Sequence, residues 1–323
     1  MAAPSTVTAS AGPARPAQSF WERVRGGDEI ALGITFLSAF SVLFITGMIV
    51  WELWTNSSLP RHQFGWSFLV TQTWDPVAGQ FGALPFIYGT LVTSALALLI
   101  GIPLGVGAAI FLAEFAPPKI SDALTFLIEL LAAVPSVIYG LLGIFILIPI
   151  LRTIEPALRS VLGWTPLFKG PFYGVSLFSA GVVLSVMIIP FIISISREVI
   201  RTVPNEQREA ALALGATRWE TVWDAVIPFA SKGIMGSIFL ALARSLGETM
   251  AVTMVIGNDP KIKASLFAPG YSIAAVIANE FTEATGQPYT EALIELGLVL
   301  FAVTMVINGV ARILVATAER GKM

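Results

Sequence analysis

Six long apolar segments dominate this chain, at about Glu29–Trp51, Phe86–Phe115, Asp122–Leu151, Phe172–Ser196, Ile234–Gly257 and Glu291–Thr317. A helix needs about 20 apolar residues to cross a bilayer, and in hydrocarbon each backbone N–H and C=O must find its partner inside the span. Segments of this kind fold as transmembrane helices. The expectation is therefore an all-α membrane protein with six spans. Only 12% of residues are charged, against about 25% in soluble domains.

Missing residue types narrow the chemistry. There are no cysteines and one histidine, His62, so thiol chemistry is excluded and no metal site is expected. No paired aspartates lie within a span, and no enzyme constellation is visible. A net charge of −2 leaves no electrostatic footprint for nucleic acid. No Gly-x-x-x-x-Gly-Lys-Ser/Thr loop is present, so the chain is not expected to bind ATP itself.

Residues 1–28 are rich in Ala, Pro and Ser and read as a disordered cytoplasmic tail. The apolar run Ile30–Trp51 exceeds the roughly 7–15 residues of a cleaved signal sequence, which makes 29–51 a retained first helix. Lys/Arg bias sets orientation. With both termini inside, Arg15, Arg23, Arg25, Lys119, Arg197, Arg201, Arg208, Arg218, Lys232, Arg312, Arg320 and Lys322 face the cytoplasm. Only Arg61, Arg152, Arg159, Lys169, Lys261 and Lys263 lie outside. Residues 52–85 then form an extracytoplasmic loop, as do 152–171 and 258–290, and 318–323 a cytoplasmic end. Pro103, Pro135, Pro149 and Pro190 are expected to kink spans, and Gly101 and Gly105 to permit close helix packing.

A polar stretch, 197–232, interrupts the apolar pattern on the cytoplasmic side. Pro204 suits a first helical position, and Asn205–Leu214 is rich in helix formers. Gly215 stops that helix, Trp219–Val226 restarts one, and Pro228 closes the stretch. A short helical hairpin at the membrane surface results. Its basic residues (Arg197, Arg201, Arg208, Arg218, Lys232) balance its acidic ones (Glu198, Glu206, Glu209, Glu220, Asp224), which suits a protein groove better than anionic lipid.

Arg244 lies inside the fifth span, about 15 Å deep at 1.5 Å per residue. A central arginine costs about 2.5–3.5 kcal/mol on insertion scales and usually faces a cavity or a partner. Glu248, four residues on, would share its helix face. The pair reads either as a self-neutralising structural pair or as an anion-recognising arginine tuned by a neighbouring acid. Glu129 sits near the cytoplasmic end of its span, within reach of water.

The loop motif is specific. Glu209-Ala210-Ala211, with Gly215 six residues after the Glu and Pro228 thirteen after the Gly, resembles the cytoplasmic signature of ABC-importer permeases. Ala225 and Ile227 depart mildly from the Ile and Leu often found there. Ala243–Val252 and Glu129–Gly140 resemble the fifth- and third-span sequences of phosphate-importer permeases of the PstC type. The resemblance covers 86–317 and implies a five-helix, type I ABC-importer permease core. It implies a loop that docks on an ATPase through Glu209, Ala210, Ala211, Gly215 and Pro228. It places Arg244 and Glu248 on the phosphate path. It implies a homologous PstA-type permease, two PstB-type ATPases and a PstS-type extracytoplasmic binding protein as partners. ATP and Mg would sit on the ATPase, with no cofactor in this chain, and the location would be a bacterial inner membrane. Another oxyanion, such as sulfate or molybdate, remains the runner-up cargo. A self-contained secondary transporter or channel is a separate alternative.

Overall fold

A computed structural model describes residues 28–320. The expected tail lies outside that range except for Asp28, and so do Arg15, Arg23, Arg25 and Lys322. The described chain forms two units that meet between Glu52 and Leu53. The first is most of helix α1 (Asp28–Thr55), apolar on every face, with Phe36, Phe40 and Phe44 stacked along one edge.

The second unit opens with two short helices, α2 (Ser58–Gln63) and α3 (Ser67–Val70). Next comes α4 (Leu84–Ile110), which ends in a π-turn, Phe111–Phe115. Then follow α5 (Pro118–Ala132), α6 (Ser136–Leu142), a π-turn at Gly143–Leu147, α7 (Ile148–Leu162) and α8 (Leu177–Arg201). The loop helices are α9 (Asn205–Ala213) and α10 (Arg218–Thr221), the latter passing through a π-turn, Val222–Val226, into α11 (Ile227–Leu246). Helices α12 (Met250–Ile256), α13 (Ile273–Glu280) and α14 (Gln287–Arg320) complete the fold. Among the described residues, six helical stretches are long and apolar enough to cross a membrane: Ile30–Thr55, Leu84–Phe115, Ser136–Leu162, Leu177–Arg201, Arg218–Leu246 and Gln287–Thr317.

Helix α8 is the most buried span and the hub of the second unit. Small residues let its neighbours approach. A methyl group on Gly105 of α4 would lie 2.8 Å from Ile192 Cγ2, and one on Gly101 3.0 Å from Ile188. Helix α11 is tied to α8 by the buried Ser196 and Ser237 hydroxyls, 2.8 Å apart. Pro103 and Pro190 sit inside unbroken helices.

Three expectations need correction. The third span does not run over Asp122–Leu151. Pro135 takes an extended conformation (φ −57°, ψ 140°) as the N-cap of α6 and separates α5 from α6; lacking an N–H, it cannot extend the hydrogen-bond ladder of α5. The span instead runs to Leu162, so much of the loop expected at 152–171 is helical. The fifth span does not run over Ile234–Gly257. The continuous apolar helix runs over Arg218–Leu246, breaks at Gly247 and resumes as α12 at Met250. Pro228 does not close the loop. The π-turn just before it has already shifted the hydrogen-bond register, and a proline in the first turn of α11 leaves no N–H unsatisfied. Within the expected outer loop 258–290, a short helix, α13, forms and the segment packs against the bundle. Phe267, Tyr271 and Ile273 are almost fully buried, and a methyl on Gly89 of α4 would strike the Tyr271 carbonyl oxygen at 2.1 Å.

Candidate functional site

The polar loop folds as a hairpin whose corner is Gly215. Its φ of +92° is left-handed, which glycine adopts without a Cβ penalty. Two bonds close the end of α9: Gly215 N–H donates to Leu212 O at 3.0 Å, and Ala216 N–H to Ala211 O at 3.2 Å. This is the Schellman arrangement that satisfies a helix's last carbonyls. The second arm begins with a capping box. The Thr217 hydroxyl accepts from Glu220 N–H at 3.3 Å, and the Glu220 carboxylate accepts from Thr217 N–H at 2.7 Å. Glu209, Ala210 and Pro228 are exposed, and Ala211 is half-buried. Leu214, Trp219, Trp223 and Phe229 are also exposed. The hairpin thus presents small, acidic and apolar side chains together, and no other described residue covers them. Pro204 stands one residue outside α9, as its cap.

One anchor of this hairpin was not visible in the sequence. The Arg208 guanidinium holds the Glu114 carboxylate in a fork, with Nη2–Oε1 at 2.6 Å and Nε–Oε2 at 3.3 Å. It also donates to the carbonyls of Ile200, at 3.0 Å, and Val203. Both partners are largely buried, with side-chain exposures of 19% and 12%. Nearby, Arg197 and Arg201 of α8 converge on the Ser121 hydroxyl of α5, at 3.1 and 3.3 Å. Glu129 is exposed on α5.

Arg244 lies in the last turn of α11, directly before a break. Gly247 ends the helix (φ −95°, ψ 0°), and α12 restarts at Met250. Glu248 therefore does not share a helix face with Arg244. Its Oε1 instead accepts from Ala251 N–H at 3.2 Å and caps α12. No ion pair joins the two residues among the described ones. The exposed Arg244 guanidinium sits 5.8 Å from the centroid of the Phe191 ring and within electrostatic reach of Tyr139. Phe191 lies near the middle of α8, about 15 Å from one end and about 21 Å from the other at 1.5 Å per residue. Arg244 therefore lies level with the middle of α8.

The break between α5 and α6 lies against the same region. Helix α6 packs on α12, where a methyl on Gly140 would meet Met254 Sδ at 2.6 Å. Tyr139 donates its hydroxyl across the break to Leu131 O at 2.6 Å, a carbonyl at the end of α5 that also accepts from Val134 N–H at 3.1 Å. Two helix breaks thus meet beside the Arg244 guanidinium, which makes no ion pair among the described residues. Non-helical backbone at membrane depth is tolerated where it is buried in protein or lines a cavity. Among the described residues no three His, Asp or Glu side chains gather as a metal-ligand set. Glu295, an acid in the sixth span that sequence reading passed over, is buried at the edge of an apolar cavity of about 660 Å³ that Arg61 also lines.

Residues 101–320 match the family described as "Binding-protein-dependent transport system inner membrane component". A "Phosphate transport system permease protein PstC" from Mesorhizobium japonicum is 47% identical over 88% of this chain and 89% of its own length. The PstC of Xylella fastidiosa strain 9a5c is 44% identical over 89% and 90%. A probable PstC from Methanocaldococcus jannaschii is 36% identical over 85% and 90%. A solved bacterial ABC transporter involved in the import of the acidic polysaccharide alginate matches with a TM-score of 0.55 at 17% identity. That match covers 90% of this chain and 98% of the other, and it bears on the fold alone. The architecture is that of a type I ABC-importer permease, and the chain belongs to the family of binding-protein-dependent transport inner membrane components, in its PstC branch.

Proposed function

We propose that this chain is a membrane-spanning subunit of an ATP-driven phosphate importer. The reading is carried by Arg244: an exposed guanidinium level with the middle of α8, beside two helix breaks, with no carboxylate paired to it among the described residues. Its planar fork matches two oxygens of an oxyanion. A unit charge about 4 Å away gains about 4 kcal/mol at an effective dielectric near 20. That offsets part of the cost of stripping water from the anion without trapping it. Glu248, four residues along and held as the cap of α12, adds a like charge that shortens the anion's stay. The names of relatives from three organisms point to phosphate as the cargo.

The hairpin around Gly215 takes the docking role. Its exposed Glu209, Ala210 and apolar side chains fit a groove on an ATPase subunit in the cytoplasm, where closure of paired ATPases would move the spans as rigid bodies. ATP and Mg belong to that subunit. A second, PstA-type permease would complete the path, and a PstS-type binding protein would deliver phosphate at the opposite end. Both termini lie in the cytoplasm in this arrangement.

Uptake of labelled phosphate by vesicles holding the assembled complex tests the reading. ATP-dependent uptake that excess sulfate and molybdate leave unchanged is expected. Equal competition by sulfate or molybdate would overturn the cargo. Uptake persisting without the ATPase subunits would overturn the importer and favour a channel or secondary transporter.

A further inference from the structure

Helix α9 is held to the bundle in an unusual way. It carries the Glu209-Ala210-Ala211 motif, yet none of its side chains is fully buried. The hydrophobic effect, the usual source of docking for an amphipathic helix, contributes little here. The seam beneath it is not filled either. A cavity of about 160 Å³ lies between Arg208 and Leu212 of α9, Glu114 and Phe115 of the π-turn, and the second arm of the hairpin.

What spans that seam is the Arg208 guanidinium. It bonds at once to Glu114, at the end of the second span, and to the carbonyls of Ile200 and Val203, at the end of the fourth. Glu114 itself lies in a π-turn, a local distortion that sets its carboxylate toward the loop and is frequent at functional positions. A charge-assisted fork has both strength and fixed geometry, because two parallel bonds resist rotation as well as separation. A helix tied this way cannot slide without carrying both spans with it.

We propose that the Arg208–Glu114 pair is the mechanical latch of the loop: a positioning pair that converts displacement of α9 into movement of the second and fourth spans. This rests on the importer reading above. It assigns Arg208 a role distinct from Glu209 next to it. Glu209 faces the partner; Arg208 faces the bundle. Loss of the latch leaves α9 able to bind the ATPase but to move without the spans.

The chain contains no cysteine, which permits a direct test. Glu114 and Arg208 are both replaced by Cys, and the full complex is assembled with its partner permease, ATPase and binding protein. The readout is phosphate taken up per ATP hydrolysed, with assembly checked by co-purification of the ATPase. The double variant is expected to assemble but to lose about tenfold or more in coupling ratio, the scale of a lost buried fork. A short bis-thiosulfonate cross-linker should restore the ratio, and reductant should abolish it again. The two single-Cys variants control for reaction elsewhere. Arg208→Lys, which keeps the charge but loses the fork, should fall on the uncoupled side. Normal coupling in the double variant without cross-linker would overturn the latch, as would failure of a verified cross-link to restore it. Failure of the unmutated complex to take up phosphate would instead overturn the importer reading.

Discussion

Substitution of Gly215 tests the hairpin corner with an effect that can be worked from its geometry. At φ +92° an L-residue sits in the left-handed region, which costs about 1–2 kcal/mol per residue. A Cβ built there meets nothing within 4 Å, so no clash adds to that cost. Gly215→Ala should therefore cost the hairpin about 1–2 kcal/mol, all of it backbone strain, which lowers the population of the folded corner by a factor of about 5–30. Gly215→Asn should cost less, since Asn tolerates this region. Gly215→Pro should cost more, because it fixes φ near −65° and deletes the N–H that bonds Leu212 O. The loop is peripheral, so thermal unfolding of the spans should not follow this order. The assay is capture of the ATPase subunit by the purified permease pair, paired with phosphate transported per ATP. Both should rank Gly, then Asn, then Ala, then Pro. Equal performance by Gly, Ala and Pro variants would refute the idea that this corner sets the docking geometry.

Three further outcomes follow from the same structure. Gly105→Ala should lower the melting temperature in detergent through about 1–3 kcal/mol of overpacking, since its methyl would lie 2.8 Å from Ile192, whereas Gly107→Ala, facing open space, should leave it unchanged. Glu248→Gln keeps the cap on Ala251 and should preserve thermal stability, whereas Glu248→Ala should lose about 0.5–2 kcal/mol in the same melt. Glu209→Lys reverses the charge of an exposed side chain, so it should leave permease stability intact while weakening capture of the ATPase; normal capture would exclude Glu209 from the dock.

The features that could be read from sequence are those set by local rules. Apolar runs announced the spans because lipid allows them no other fold. Gly215 announced the end of α9 because glycine alone takes the left-handed corner freely, and the Schellman bonds form there. Proline was a poorer guide. Pro135 breaks a span, Pro103 and Pro190 do not, and Pro228 is carried through behind a π-turn whose register shift no residue type signals. The break at Gly247 was missed because Ala243–Val252 contains no proline and reads as continuous helix. That error paired Arg244 with Glu248 on one face, when the break sends the carboxylate to cap α12 instead. The Arg208–Glu114 fork was beyond sequence reading altogether. Its partners are 94 residues apart and meet only once α4 and α8 have packed.

The central claim is that Arg244 offers a free cationic fork to the transported anion, and Arg244→Gln tests it most directly. Gln keeps hydrogen-bonding capacity and much of the bulk but removes the charge. With the complex in vesicles, labelled phosphate uptake should fall to background, while co-purification of the ATPase and its basal hydrolysis stay at the level of the unmutated complex. Unimpaired phosphate uptake by the Gln variant would contradict the account.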